Sequence, residues 1–406
     1  MKIYLLMLSL ILSNYLSFSQ NDISIGKSEI LHSDILNEDR QLEIHLPKNY
    51  NNSDKEYPVM YLLDSYYNFT HTVGVTEFLY LNRLIPEMII VGVRNTHRNR
   101  DLTTDSSQLS KEQQARMGTT GGADHFISFF KQELIPHIEK KYKAAPYRII
   151  VGHSLGGLFN VYTFFKEPNL FNAYLTISPS LWYPNSLISE QLEKGFTINP
   201  ENHTSFYMTL ATENSGTMRG NTLKLSGTFE NYKITHEDSN LRFKYQPMQE
   251  ESHGSTNLPS LYKGLKFIFE PTLYEVPKSK EEILALGGAL EVIEKTKEYY
   301  KQLSQNYGFE VSNEYALTDL GYSFLRIEEY DKYALKAFQD AIDSNPNSYN
   351  AFSNLGKAYE NLEELEQAKQ YYEKALKMVK ETGDPEWEFY QVDLENLKKK
   401  IQDKKE

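Results

Sequence analysis

Residues 148–159 read Arg148-Ile149-Ile150-Val151-Gly152-His153-Ser154-Leu155-Gly156-Gly157-Leu158-Phe159. Ile149, Ile150 and Val151 form the short apolar run of a strand buried on both faces, and residues 158–165 carry an apolar helical pattern. Between them lies Gly-His-Ser-Leu-Gly. A turn this tight holds its serine in a strained backbone conformation, and side chains at the flanking positions would clash, hence the glycines. It lifts the Ser154 hydroxyl above the sheet edge at a helix N-terminus. The bare pentapeptide is common by chance. Set between a buried strand and a helix, it reads as a nucleophile elbow.

The flanking sequence fits the same architecture. Residues 41–46 alternate as an amphipathic strand, and residues 58–63 and 88–93 are continuous apolar runs. Residues 174–177, 205–210 and 241–247 read as further strands, with helical spacing over residues 124–142. Strands alternating with helices predict a mostly parallel sheet covered on both faces, an α/β-hydrolase fold.

The chain changes character near Pro271 and Pro277. Residues 278–406 hold 18 basic against 26 acidic side chains, so −8 of the net −12 falls in this part. Residues 280–305 form one long helical pattern, and two segments then repeat at an offset of 34–35. Leu320-Gly321 recurs as Leu355-Gly356, and Ala334, Phe338 and Ala341 recur as Ala368, Tyr372 and Ala375. This spacing resembles the tetratricopeptide pattern, in which small residues let paired helices approach and large ones fill the gap. Two such units are too few to stand alone, so they are expected to pack on the preceding helix and on a terminal helix over residues 387–401. The expected organisation is a signal peptide at 1–19, an α/β-hydrolase domain at 20–275, a helical linker at 276–310, and an all-α tetratricopeptide-like domain at 311–406.

Composition removes several functions. With no cysteine among 406 residues, disulfides, thiolate zinc sites, iron–sulfur clusters and a cysteine nucleophile are excluded. The acidic balance without a basic stripe argues against nucleic acid. No metal-ligand spacing appears, and no cofactor is called for. Lys2, the apolar residues 3–12 and the small residues before Gln20 describe a secretory signal. No other segment approaches a membrane span, so a periplasmic or secreted mature chain is expected.

A serine hydroxyl needs a base. In the chain order of α/β hydrolases the acid follows the serine and the histidine follows the acid. That order passes over six of the ten histidines and leaves His253, in Glu251-Ser252-His253-Gly254-Ser255 after the last strand, as base. His153 is expected to point away from the elbow and pack, and His203 and His236 fall in polar loops. Glu213, beyond the strand at 205–210, is the orienting acid, with Asp238 and Glu250 as competitors. The oxyanion donors are the Leu155 N–H and a backbone N–H of Ser65 or Tyr66, in the loop expected after residue 63. Tyr66, Tyr67, Phe69, Trp182 and Tyr183 are expected in loops on the same side, where Trp182 and Tyr67 are candidates to stack on substrate.

Residues 57–64, the strand at 90–95 with Arg98 and Asp101 beyond it, residues 126–142, the elbow, Ser178-Pro179-Ser180-Leu181-Trp182 and Ser252-His253-Gly254 are together similar to the putative esterase family. That family includes esterase D, enterochelin esterases and feruloyl esterases, and the resemblance covers roughly residues 28–270. Ser65 stands where the family often has glycine, and some relatives work with a Ser–His pair alone. The resemblance implies an exported serine esterase acting on a siderophore ester or an acyl decoration of a polysaccharide. The alternatives are an acyltransferase using the same acyl-enzyme and a binding or assembly protein acting through its helical repeats. The expected partners are a small-molecule or glycan ester and a protein at the repeats.

Overall fold

A computed structural model describes residues 24–48, 50–52, 54–197, 203–213, 216–237, 239–384 and 386–404. The proposed signal segment and Asp238 lie outside the described residues. Eight strands form one sheet: β1 (Lys27–Ser33), β2 (Glu38–His45), β3 (Tyr57–Leu63), β4 (Ile89–Val93), β5 (Ala144–His153), β6 (Ala173–Ile177), β7 (Thr204–Ala211) and β8 (Leu241–Met248). Their order across the sheet is β1-β2-β4-β3-β5-β6-β7-β8. β1 and β2 run antiparallel to their neighbours, while β4, β3, β5, β6, β7 and β8 are mutually parallel.

The central strands read as unbroken apolar runs because both of their faces are covered. Met60 and Leu62 of β3 enter one core cluster, and Val59, Tyr61 and Leu63 enter the other, as the two-residue strand period dictates. Helices cover both faces, among them α1 (Ser65–Leu81), α2 (Ala123–Phe129), α3 (Leu155–Lys166), α4 (Gly216–Thr235) and α5 (Asn257–Phe269). α1 and α5 bury Phe69, Val73, Leu261 and Leu265 against one face. α2, α3 and α4 bury Phe126, Phe129, Phe159, Phe164 and Phe229 against the other.

α1 replaces the loop expected after residue 63. Its buried positions are Ser65, Asn68, Phe69, Thr72, Val73, Thr76 and Leu79, so small polar residues fill most of the face toward the sheet. That composition erases the apolar stripe by which an amphipathic helix is recognised.

Beyond residue 276 the chain is helical: α6 (Ala289–Tyr307), α7 (Glu314–Phe324), α8 (Asp331–Ser344), α9 (Tyr349–Asn361), α10 (Leu365–Thr382) and α11 (Trp387–Asp403), preceded by the short helix Lys280–Ala285. α7/α8 and α9/α10 are the two repeated pairs. A Cβ on Gly321 would stand 2.7 Å from the Phe338 ring, and one on Gly356 would stand 2.7 Å from the Tyr372 ring. The small and large positions of the repeat therefore meet as its spacing requires.

The tail shares a core with the sheet. The Tyr307 ring meets Tyr147 of β5 edge-on at 4.8 Å, and its hydroxyl donates to the Ile268 carbonyl at 3.0 Å. Tyr299 and Tyr300 donate to the carbonyls of Pro271 and Thr272 at 2.7 and 3.0 Å.

Candidate active site

Ser154 ends the β5 turn at φ 60°, ψ −114°, a conformation few non-glycine residues adopt. The turn is fixed by its neighbours. The Ser154 N–H donates to the Ile177 carbonyl at 3.0 Å, and its own carbonyl accepts from Leu158 and Ser180 at 3.0 and 2.9 Å. A Cβ on Gly152 would lie 2.3 Å from the Gly156 carbonyl oxygen, which is why that position is glycine. The Ser154 side chain does not cap α3. Its Oγ lies 3.0 Å from the Ser180 Oγ.

The acid and base candidates come from the ends of the two neighbouring strands, β7 and β8. His253 Nδ1 and Glu213 Oε1 are 2.7 Å apart, with Glu213 10% exposed and His253 39% exposed. Two further bonds tie these loops together: the Thr212 N–H donates to the Glu251 carbonyl at 2.9 Å, and the Thr212 hydroxyl donates to the Gln249 carbonyl. Of the two competing acids, Glu250 is exposed on the turn after β8. The acid and the base are thus joined to each other. The base also lies against the elbow, because the His253 ring packs on His153 with centroids 4.5 Å apart.

Leu155 is the first residue of α3 and Ser65 the first of α1, so both stand where helical N–H groups lack an intrahelical partner. Tyr66 follows Ser65, and the Tyr67 N–H is taken by the Asp64 carbonyl at 3.2 Å. Tyr66 and Tyr67 are 63% and 79% exposed. The Arg94 guanidinium lies 4.5 Å from the Tyr66 ring centre. Phe69 is buried in the core, however, and Tyr183 is buried with its hydroxyl on the Thr104 carbonyl at 2.8 Å. Neither is available to a ligand. Trp182 is half-buried, packed at its edge on Tyr183 and on the core beneath.

Three neighbours carried no role in the reading of the sequence. Ser180 holds the Ser154 hydroxyl, and its only signal is the Ser-Pro-Ser stretch. Arg98 binds Asp64 through two bonds of 2.7 and 2.8 Å. His153, expected to point away, instead walls one side of His253. Burial, followed by the repulsion of His253, pushes its imidazole down to about 4.

Residues 33–216 match the family described as Putative esterase, and residues 349–379 match a tetratricopeptide repeat. Over 276 residues the chain is 26% identical to the ferri-bacillibactin esterase BesA of Bacillus subtilis, covering 62% of this chain and 93% of that protein. It is 25% identical over 150 residues to the uncharacterized protein YbbA of the same organism; the match covers 36% of this chain and 59% of YbbA, less than two thirds of its length. Among solved structures, an IroE-like serine hydrolase from Shewanella oneidensis superposes with a TM-score of 0.60 at 26% identity, covering 78% of this chain and 99% of that one. The fold and these matches define an α/β hydrolase followed by a tetratricopeptide-type helical region. Within it, the match to the putative esterase model spans residues 33–216.

Proposed function

We propose that this chain is a serine-dependent carboxylic ester hydrolase. The observation that carries the reading is the 2.7 Å Glu213–His253 contact set against the elbow that presents Ser154. In this reading Ser154 Oγ attacks the ester carbonyl while His253 Nε2 takes its proton. The N–H groups of Leu155 and of Ser65 or Tyr66 receive the oxyanion. Collapse of the tetrahedral species breaks the bond to the alcohol, which leaves with the proton held by His253. A water molecule, deprotonated by the same imidazole, then releases the acid and restores Ser154. Glu213 fixes the His253 tautomer and stabilises the imidazolium.

The substrate class we favour is a siderophore ester, supported by the match to a ferri-bacillibactin esterase over most of that protein's length. Exposed Tyr66 and Tyr67 at the rim suit an aromatic acyl group. Among the described residues no helix is long and apolar enough to cross a membrane. Residues 1–19 are proposed to direct export to the periplasm or medium, and the repeats to hold a protein partner.

Stopped-flow release of nitrophenol from nitrophenyl butyrate tests the mechanism, and hydrolysis of a ferric tricatecholate ester tests the substrate. The expected result is a Ser154-dependent burst of one equivalent and cleavage of the catecholate ester. Absence of Ser154-dependent turnover on either substrate overturns the reading.

A further inference from the structure

The segment that follows β6, Ser178-Pro179-Ser180, is braced by three other elements. Ser178 stands at φ 39°, in the left-handed region that few residues other than glycine adopt. Its N–H donates to the Thr209 carbonyl at 3.0 Å and its Oγ accepts from the Ala211 N–H at 2.9 Å, so β7 holds the bend twice. Pro179 lies against α3, where a Cβ on Gly157 would stand 2.9 Å from the Pro179 Cα. Asn221 of α4 donates its side-chain amide to the Leu181 carbonyl at 2.6 Å. The Ser180 N–H in turn donates to the Ser154 carbonyl. All of this delivers one buried hydroxyl: Ser180, 2% exposed, sets its Oγ 3.0 Å from the Ser154 Oγ. A backbone kept in a sparsely populated conformation by so many partners points to a place where position matters.

We propose that Ser180 is a further catalytic residue, donating its hydroxyl hydrogen to the Ser154 Oγ and stabilising the negative charge that this atom takes up when the acyl-enzyme is hydrolysed. The inference rests on the ester-hydrolase reading above. Either hydroxyl can donate in the resting pair. A serine hydroxyl has one hydrogen and two lone pairs. In the proposed reaction the Ser154 hydrogen goes to His253, which leaves Ser180 as the donor between the two serines. Once Ser154 is acylated it has no hydrogen to give, and the direction is fixed. Water, deprotonated by His253, then adds to the acyl carbon. The tetrahedral species collapses as the C–Oγ electron pair passes to the Ser154 Oγ, and the proton held by His253 follows it. Ser180 keeps its own hydrogen throughout. An ester oxygen is a poor acceptor, and an oxygen departing with the bond pair is a strong one. The Ser180 bond is therefore stronger in this transition state than in the acyl-enzyme, which is the condition for catalysis. During acylation the gain is smaller, because the free Ser154 hydroxyl already accepts well.

Stopped-flow mixing with saturating nitrophenyl acetate separates the two steps. The burst rate constant reports acylation, and the steady rate after it reports deacylation. Ser180→Ala is expected to slow the steady rate about 30-fold, within the worth of a hydrogen bond to a charged group. The burst rate constant is expected to stay within about threefold, since only a neutral hydrogen bond is lost from that step. Because acyl-enzyme accumulates, KM falls together with kcat, and kcat/KM stays close to that of wild type. Ser180→Cys, whose S–H is a weak donor, falls between wild type and Ser180→Ala.

A structural fault at the elbow slows the burst as much as the steady rate. Equal losses in the two rates, or no loss in the steady rate, overturn the proposal while leaving an active wild type intact. So does a Ser180→Cys variant as fast as wild type beside a slow Ser180→Ala, which would assign the effect to filled space. A wild type without Ser154-dependent hydrolysis overturns the ester-hydrolase reading, and this proposal with it. Circular dichroism melts accompany each variant. If Ser180→Ala does not fold, Ser180→Cys decides by the same comparison of burst with steady rate.

Discussion

His153 lays its imidazole against that of His253, ring centroids 4.5 Å apart and planes inclined at 43°. Burial first, and then repulsion from the neighbouring ring, keeps His153 neutral. The wall behind the candidate base is therefore an uncharged ring at any pH above about 4.

That neutrality has a measurable cost in acid. The unfolded chain takes up the His153 proton near 6.5 and the folded chain only near 4, so between these values the unfolded state binds more protons. The stability tied to neutral His153 is complete above 6.5 and is lost as the pH falls toward 4. His153→Gln is expected to remove on the order of 2 kcal/mol from the fall in stability between pH 7 and pH 4.5. Urea titrations of both proteins at the two pH values check this, and an equal fall in both refutes it.

Ser154→Ala is expected to abolish esterase activity and leave the circular dichroism spectrum unchanged. The side chain accepts no capping bond from the first N–H groups of α3, so only Oγ and its contact with Ser180 are lost. Turnover above background would remove Ser154 from the nucleophile role.

Glu213→Gln keeps the shape of the contact to His253 but can present an amide N–H where an acceptor is needed. A loss in kcat of about 10²–10⁴ is expected, as for other triad acids. An effect under tenfold would mean that the hydrolysis runs on a Ser–His pair.

Tyr307→Ala removes the ring packed on Tyr147 and the hydroxyl bonded to the Ile268 carbonyl. Large-to-small changes at such sites cost about 3–5 kcal/mol. The melting temperature should fall accordingly, with kcat/KM on a nitrophenyl ester unchanged below the transition. A variant that melts like wild type would show that the tail does not share the sheet's cooperative core.

The parts of the fold legible in the sequence were those whose pattern is strictly local. The elbow announces itself because strand, glycines and helix are contiguous, and the repeats because Gly321 and Gly356 recur opposite Phe338 and Tyr372. α1 was illegible because Asn68, Thr72 and Thr76 occupy its buried face. β1 is an edge strand whose residues are mostly exposed, so it carries no apolar pattern. His253 and Glu213 follow from the order in which strands end along the chain. The contacts made by Ser180, His153 and Arg98 are set by which strand ends become neighbours, and no spacing along the chain encodes that.

Tyr147 and Ser154 sit seven residues apart along one extended segment, roughly 20 Å from end to end. The helical tail grips the first of these residues, and the second is the proposed nucleophile. Arg83 and Tyr315, stacked 4.0 Å apart, add a further clasp ahead of β4, also on the side where the parallel strands begin. The tail is thus a mooring at the stern of the sheet and not an awning over its bow. A cargo tied up there leaves the berth for the ester open, and lengthening or shortening the array of helix pairs leaves the chemistry at the far rail untouched.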